Sequence, residues 1–290
     1  MNLVGAHVGN YVVTRELGAG GMGTVYLAEH PALGRKVAVK VLHEDNAADP
    51  ETVARFFQEA KAAAEIGHEN IIEVLDFGTL TVDGQPVVYL MMEFLDGVSL
   101  GKRIRRGDLT EGDVRHVLRQ CCSALSASHA HGIIHRDIKP ENIYLLSRAS
   151  DPLFVKVLDF GIAKLTRGKV GSARTRVGTI LGTPQYMSPE QCQGRGQIDG
   201  RSDVYALGVV MYEMLTGTLP FDGTLGQVLQ AHLVMPPAPP SERRPGVSAE
   251  LEAICLHCLE KDRGDRFANM AELAAALDDP AAHLAAWRDT

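Results

Sequence analysis

The chain has 290 residues, of which 45% are hydrophobic and 22% are charged, so it can bury a sizeable core in one bilobal domain or in two domains. Its formal net charge of -7 argues against a general nucleic-acid-binding protein, and no apolar run approaches the roughly 18 residues of a membrane helix. The amino terminus has no basic stretch followed by an apolar one, and five cysteines without a secretory signal are typical of reduced thiols. We therefore expect a cytoplasmic protein with no nucleic-acid partner and no membrane contact in this chain.

The first predicted element is a β-hairpin with a glycine-rich turn. Residues 11–17 and 24–28 have the β-branched and aromatic composition of strands. Three glycines complete the motif G-x-G-x-x-G in this hairpin: Gly18, Gly20 and Gly23. Dinucleotide-binding folds share this motif, with an acidic residue about 20 positions on, which Glu44 or Asp45 supplies. In those folds the motif opens a helix, whereas a strand follows here; a merely flexible hairpin is the other alternative.

A third strand and the helix after it supply a candidate ion pair. Lys40 lies in the apolar strand 36–42, where a buried ammonium group needs an anionic partner; the alternative is an edge-strand lysine that faces water. The helix is bounded by an N-cap residue, a first-turn proline and a terminal glycine: Asp49, Pro50 and Gly67. Glu59 shares part of the apolar face of this helix and is the preferred partner of Lys40. Glu65, nearer the carboxyl end, is the competitor.

Two more strands are predicted before the β-rich region ends. One begins at residues 68–75, the Asp83-Gly84 pair predicts a hairpin turn, and residues 87–92 form a buried fifth strand. After Gly97 the chain is predicted to be mainly helical, with a long helix that starts near Thr110. The cysteines in the helical region recur with apolar residues at helical spacing, which favours a buried position over a zinc site.

A short polar segment, residues 135–142, lies between two apolar runs and has the sequence H-R-D-I-K-P-E-N. Neither a core nor a plain surface turn needs this combination of an acid, a lysine, an amide and a histidine. A strand at 154–158 then ends in Asp159-Phe160-Gly161, with room for a short hairpin after Asn142. Carboxylate and amide oxygens are ligands that magnesium prefers, so Asn142 and Asp159 are candidate metal ligands. From Ile162 the chain becomes polar and basic, as a solvated loop or a regulatory segment would be.

The order of these motifs resembles that of eukaryotic-type protein kinases, and most of all that of bacterial serine/threonine protein kinases. The matching stretches are the glycine motif, Val37-Ala38-Val39-Lys40, the polar segment, the Asp-Phe-Gly triplet, and Ser-Pro-Glu at 188–190 in place of Ala-Pro-Glu. The resemblance covers about 11–277. It implies an α+β, bilobal protein kinase-like fold, with a β-rich N-lobe of about 11–94 that carries one main helix and a helical C-lobe of about 95–277. A tail follows at 278–290.

The resemblance also implies an enzyme that transfers the γ-phosphoryl group of ATP to protein serine and threonine hydroxyls. Asp137 would accept the hydroxyl proton, Lys139 would offset the charge of the phosphoryl group, and Lys40, held by Glu59, would position the other phosphates. Asn142 and Asp159 would hold Mg²⁺, with Mn²⁺ as a substitute. The ATP contacts implied are Leu17, Gly18, Ala19, Gly20, Gly21, Met22, Gly23, Thr24, Val25, Ala38, Lys40, Met92, Glu93, Leu95 and Tyr144. Tyr144 departs from the family pattern, which places an aliphatic residue there.

Regulatory residues are implied by the same resemblance. Arg136 would pair with a phosphate in the segment after Asp159, with Thr175 and Thr179 as preferred autophosphorylation sites and Thr166 and Ser172 behind them. Thr183, together with Lys139, resembles serine/threonine kinases. Structural roles are implied for His135, which would pack toward Phe160 and hydrogen-bond to the backbone, for a buried Asp203 that braces the catalytic loop, and for a Glu190–Arg266 pair. The partners implied are protein substrates and a second copy of the chain for trans-autophosphorylation; a pseudokinase scaffold and a nicotinamide oxidoreductase are the alternative classes.

Overall fold

The apolar residues of the amino-terminal third form one antiparallel sheet in the computed structural model, which describes residues 3–159, 183–194 and 198–288. The chain divides into two units, Met1–Asp96 and Gly97–Thr290. The elements of the first unit are strands β1 (His7–Val8), β2 (Tyr11–Ala19), β3 (Gly23–Glu29) and β4 (Lys36–Leu42), helices α1 (Glu44–Ala47) and α2 (Pro50–Ile66), and strands β5 (Val74–Val82) and β6 (Gln85–Glu93). The strand order is β1-β2-β3-β4-β6-β5.

The two faces of this sheet bury different residues because successive side chains of a strand point to opposite faces. Val39 and Met91, which are paired across β4 and β6, belong to one buried cluster. Leu42 and Leu90 belong to a second cluster, which Phe56 of α2 completes. Lys40 is two residues from Leu42 and is paired with Leu90, so it lies on the face that α2 covers.

Helix α2 has the boundaries that the sequence predicts. The Asp49 side chain accepts hydrogen bonds from the amides of Glu51 and Thr52, Pro50 opens the helix, and Gly67 ends it at φ 57°. The predicted hairpin turn is also confirmed, with Asp83 and Gly84 both at positive φ. The predicted start of the fourth strand is wrong: β5 begins at Val74, and the buried Ile71 and Ile72 lie before it.

The second unit holds a three-stranded sheet and most of the helices. Its elements are β7 (Gly97–Ser99), α3 (Leu100–Ile104), α4 (Glu111–Ala130), β8 (Ile143–Leu146), β9 (Phe154–Val157), α5 (Pro189–Gln193), α6 (Gly200–Thr216), α7 (Leu225–Val234), α8 (Pro240–Arg243), α9 (Ala249–Cys258), α10 (Met270–Asp278) and α11 (Pro280–Arg288). Strands β8 and β9 form the antiparallel hairpin predicted between Asn142 and Asp159, and β7 pairs with β8.

Helix α6 is the centre of the second unit, since most of its residues are buried. Gly208 lets α9 approach closely, because a Cβ at this position would overlap the Cβ of Cys258. Cys255 and Cys258 lie on the buried face of α9, and Cys121 and Cys122 are buried in α4, as helical spacing predicts. None of the described helices is long and apolar enough to cross a membrane.

Candidate active site

A buried carboxylate organises the polar segment 135–142, which we call the catalytic loop. Asp203, in the first turn of α6, has no exposed surface. Its Oδ2 accepts the amide of His135 at 2.8 Å and its Oδ1 accepts the amide of Arg136 at 2.8 Å. Nε2 of His129, on α4, lies 2.8 Å from Oδ2. These contacts confirm the bracing role predicted for Asp203, and they add His129, which the sequence analysis did not single out.

His135 has a structural position in the loop. It is fully buried, its Nε2 lies 2.8 Å from the carbonyl oxygen of Leu158, and its Nδ1 accepts the amide of Asp137 at 3.3 Å. Nε2 must therefore carry the proton as donor, while Nδ1 serves as acceptor. Burial lowers the pKa of His135, although the nearby Asp203 carboxylate opposes this shift. The ring is thus a neutral spacer between the catalytic loop and the end of β9, as predicted from its backbone hydrogen bonding.

Three of the predicted catalytic-loop side chains meet around one carboxylate. Nζ of Lys139 donates to Oδ2 of Asp137 at 3.1 Å and to Oγ1 of Thr183 at 3.3 Å. Nδ2 of Asn142 donates to the backbone carbonyl of Asp137 at 2.9 Å. Asp137 and Lys139 are both partly exposed, with about a fifth of each side chain accessible. A carboxylate, an ammonium group and a threonine hydroxyl therefore share a position that a substrate can reach.

The two predicted metal ligands are placed by neighbouring segments. The amide of Leu158 donates to the carbonyl oxygen of Asn142 at 2.8 Å, which joins the end of the catalytic loop to the end of β9. Asp159 follows at φ 48°, in the left-handed region, with an exposed side chain. The amide nitrogen of Asn142 is engaged by Asp137, so the amide oxygen is the atom to offer a cation. An amide oxygen and a carboxylate, completed by phosphate oxygens, fit the hard-donor preference of Mg²⁺.

A buried ion pair ties the start of α5 to the loop before α10. Nη1 and Nη2 of Arg266 lie 3.0 Å from Oε1 and Oε2 of Glu190, and the Ser202 hydroxyl donates to Oε1 at 2.6 Å. Burial by itself would raise the pKa of Glu190, but hydrogen bonds from Arg266 hold it below its ordinary value. The predicted Glu190–Arg266 pair is confirmed, in the two-pronged geometry that arginine favours.

In the first unit, side chains after β4 hold the glycine-rich turn. Nε2 of His43 lies 2.9 Å from the carbonyl oxygen of Gly20, and Nδ2 of Asn46 donates to that of Met22 at 3.0 Å. Gly23 has no room for a side chain, since a Cβ would overlap the carbonyl of Val41. The turn therefore presents backbone groups from a fixed position.

The remaining predicted residues are spread over both units. Leu17, Val25 and Ala38 lie on β2, β3 and β4, while Met92 and Glu93 end β6. The amide of Glu93 donates to the carbonyl of Glu73 at 3.0 Å. Leu95 lies in the segment after β6, and Tyr144 is half-buried on β8. Arg136 has φ 64°, and Glu59 is in α2.

Several predictions fall outside the described residues. The side chain of Glu59 is one, so the Lys40–Glu59 pair stays a prediction. The candidate phosphorylation sites Thr166, Ser172, Thr175 and Thr179 are others, as is the packing of His135 toward Phe160.

Comparisons with known proteins give one consistent result. The family model described as "Protein kinase domain" matches residues 11–277. Serine/threonine-protein kinase Pkn1 of Myxococcus xanthus is 50% identical over 276 residues, which are 95% of this chain and 39% of that protein. PknB of Mycobacterium tuberculosis is 42% identical over 269 residues, covering 92% of this chain and 42% of that protein. The crystal structure of the M. tuberculosis PknI kinase domain matches 97% of this chain and all of that one at 30% identity, with a TM-score of 0.73. The chain spans about two fifths of the length of Pkn1 and of PknB.

Proposed function

The chain belongs to the protein kinase domain family, and we propose that it transfers the γ-phosphoryl group of ATP to serine and threonine hydroxyls of proteins. The observation that carries this proposal is the contact of Lys139 with both Asp137 and Thr183. A carboxylate next to an ammonium group can accept a hydroxyl proton while positive charge faces the transferred group.

The proposed reaction is an in-line displacement at the γ-phosphorus. The substrate hydroxyl oxygen forms a bond to phosphorus, the bond to the β–γ bridging oxygen breaks, and ADP leaves with those electrons. Asp137 orients the hydroxyl and takes its proton, while the Lys139 ammonium group lies beside the charge that develops on the phosphoryl oxygens. Asn142 donates a hydrogen bond to the backbone carbonyl of Asp137, so the proposed base and one proposed metal ligand are held next to each other.

Magnesium would be held by Asn142 and Asp159 and would neutralise phosphate charge when bound with ATP. Lys40 would contact the α- and β-phosphates; its place on the face of the sheet that α2 covers suits an ion pair with Glu59. The glycine-rich turn would offer backbone amides to the phosphates, and Glu93 and Leu95 would meet the adenine edge. The use of ATP fits a cytoplasmic location.

We further propose control by autophosphorylation, with Thr175 and Thr179 as the preferred acceptors and a second copy of the chain as the enzyme. Arg136, next to the proposed base, would pair with the phosphate. Phosphosite mapping of the wild-type chain and of Asp137→Asn, each expressed alone, tests this. We expect phosphate on Thr175 or Thr179 in the wild type and none in the variant; phosphate confined to Thr166 would contradict the assignment.

The function itself is tested with ATP radiolabelled at the γ-phosphate, a mixed protein substrate and hydrolysis of the product to its amino acids. We expect phosphoserine and phosphothreonine from the wild-type chain. A product that is entirely phosphotyrosine, or no product from a chain that ATP stabilises in a thermal-shift assay, would contradict the proposal; the second result would favour a nucleotide-binding scaffold. Stabilisation by NAD in place of ATP would favour an oxidoreductase.

A further inference from the structure

Arg136, the residue before the proposed base, is held in an unfavourable backbone conformation. Arg136 has φ 64°, a left-handed value that costs a residue with a side chain about 1 kcal/mol or more. Such a conformation persists only where its surroundings hold it. The amide of Arg136 is held by Asp203, at 2.8 Å.

Gln191, in helix α5, holds the other side of the same residue. Its Nε2 donates to the carbonyl oxygen of Arg136 at 2.9 Å. That oxygen and the amide nitrogen of Asp137 belong to one planar peptide group, and the amide donates to Nδ1 of His135. Gln191 and His135 therefore hold this peptide plane at both ends. The orientation of the plane helps to set the direction in which the Asp137 side chain points.

The same side chain also has an ordinary structural contact. Oε1 of Gln191 accepts the amide of Ser188 at 2.9 Å, and the amide of Gln191 donates to Oγ of Ser188 at 3.4 Å. These two bonds form a capping box at the amino end of α5. Gln191 thus uses its carbonyl oxygen for the helix and its amide nitrogen for the catalytic loop. Only the second use needs glutamine, because glutamate serves equally well in a capping box.

We propose that Gln191 is a positioning residue for catalysis, which orients Asp137 through the carbonyl group of Arg136. It touches no reacting atom, so it acts through the backbone alone. The proposal rests on the proposed function, because it assumes that Asp137 is the catalytic base. It also gives the glutamine after Ser-Pro-Glu a role that a cap does not require.

Gln191→Glu separates the two uses of the side chain. The carboxylate keeps the acceptor for Ser188 and favours the positive end of the helix, but it cannot donate and places a negative oxygen against the Arg136 carbonyl. We expect kcat to fall about tenfold or more, because small misplacements of a catalytic group are costly. KM for ATP should change little, and the denaturation midpoint should stay close to that of the wild type.

Ser188→Ala is the matched control, because it removes the other half of the capping box and leaves the Gln191–Arg136 hydrogen bond in place. We expect a lower denaturation midpoint with an unchanged kcat. Measuring kcat, KM for ATP and the denaturation midpoint for the wild type and both variants decides the matter. A Gln191→Glu chain with wild-type kcat, or one that loses kcat only in proportion to its folded fraction, overturns the proposal. Asp137→Asn is measured alongside. Full kcat in this variant would overturn the proposed function. A loss of kcat in Asp137→Asn together with a wild-type kcat in Gln191→Glu would refute the positioning role alone.

Discussion

Arg266 should contribute more to stability than the glutamate with which it pairs. Its guanidinium group donates two hydrogen bonds to Glu190 and three to backbone carbonyls, those of Arg201, Glu260 and Lys261. Only 4% of the residue is exposed. Arg266→Ala leaves a partly buried carboxylate with Ser202 as its remaining partner and also removes the donor of three carbonyls.

The size of the effect follows from these contacts. Breaking a buried ion pair from one side costs about 3–5 kcal/mol, and each buried carbonyl without a donor adds about 1 kcal/mol or more. Arg266→Ala should therefore lower the free energy of unfolding by about 6–8 kcal/mol, a large share of the roughly 5–15 kcal/mol of a typical domain. Glu190→Gln keeps an acceptor for Ser202 and leaves the three carbonyl bonds intact, so it should cost about 2 kcal/mol.

Equilibrium unfolding in urea measures both values, with the slope of the transition as the check on two-state behaviour. A second check is pH. Since the pKa of Glu190 is held below its ordinary value of 4.5, the pair stabilises the fold above that pH and loses its effect as the pH falls through the lower, folded-state pKa. Glu190→Gln should remove this part of the acid sensitivity. A Glu190→Gln variant that is as unstable as Arg266→Ala would show that the three carbonyl hydrogen bonds of Arg266 add nothing to stability.

The remaining predictions concern close packing, acid sensitivity and the loop. Gly208→Ala should lower the free energy of unfolding by about 2 kcal/mol or more, because the new Cβ would overlap Cys258. A Cβ at Gly226 meets no atom within 4 Å, so Gly226→Ala should leave the free energy of unfolding equal or raise it by about 0.5–1 kcal/mol. Equal effects of the two variants in urea unfolding would contradict this prediction. Burial lowers the pKa of His257 to about 4, and the stacked His283 adds to the shift. A state in which α11 has moved away from His257 therefore binds the proton more tightly than the folded state does. We expect α11 to loosen as the pH falls below about 6.5. The fluorescence of Trp287, the only tryptophan, reports this change. His257→Phe should weaken the pH dependence and leave the part that comes from His283, whose pKa is also lowered by burial. His129→Phe, which removes a hydrogen bond to Asp203, should lower kcat about tenfold with little change in KM for ATP; an unchanged kcat would show that Asp203 alone holds the loop.

Local signals were enough to predict the elements whose ends are marked by their own residues. The first and last turns of α2 follow from Asp49, Pro50 and Gly67, because capping and positive φ are local effects. The β5–β6 turn follows from Asp83 and Gly84 for the same reason. The two short strands β1 and β7 were missed, since two or three residues carry no alternation that distinguishes them from loop.

Contacts between distant segments were harder to predict. Ile71 and Ile72 are apolar and were assigned to the fourth strand. They are buried but lie before β5, because burial alone does not determine secondary structure. His129 lies 74 residues from Asp203, and Gln191 lies 55 residues from Arg136. No spacing rule links such pairs; the only available signal was a glutamine three residues after Ser188, which indicates a capping box and nothing more.

We propose that Asp137 accepts the substrate proton in phosphoryl transfer from ATP. Single-turnover transfer to a serine- or threonine-containing substrate at saturating ATP, measured for the wild type and for Asp137→Asn with the ATP dissociation constant determined in parallel, tests it most directly. Removal of a general base typically costs about 10²–10⁴-fold in rate, so we expect a loss in that range with the dissociation constant changed by no more than about threefold. A variant that transfers phosphate at the wild-type rate would show that Asp137 is not the catalytic base.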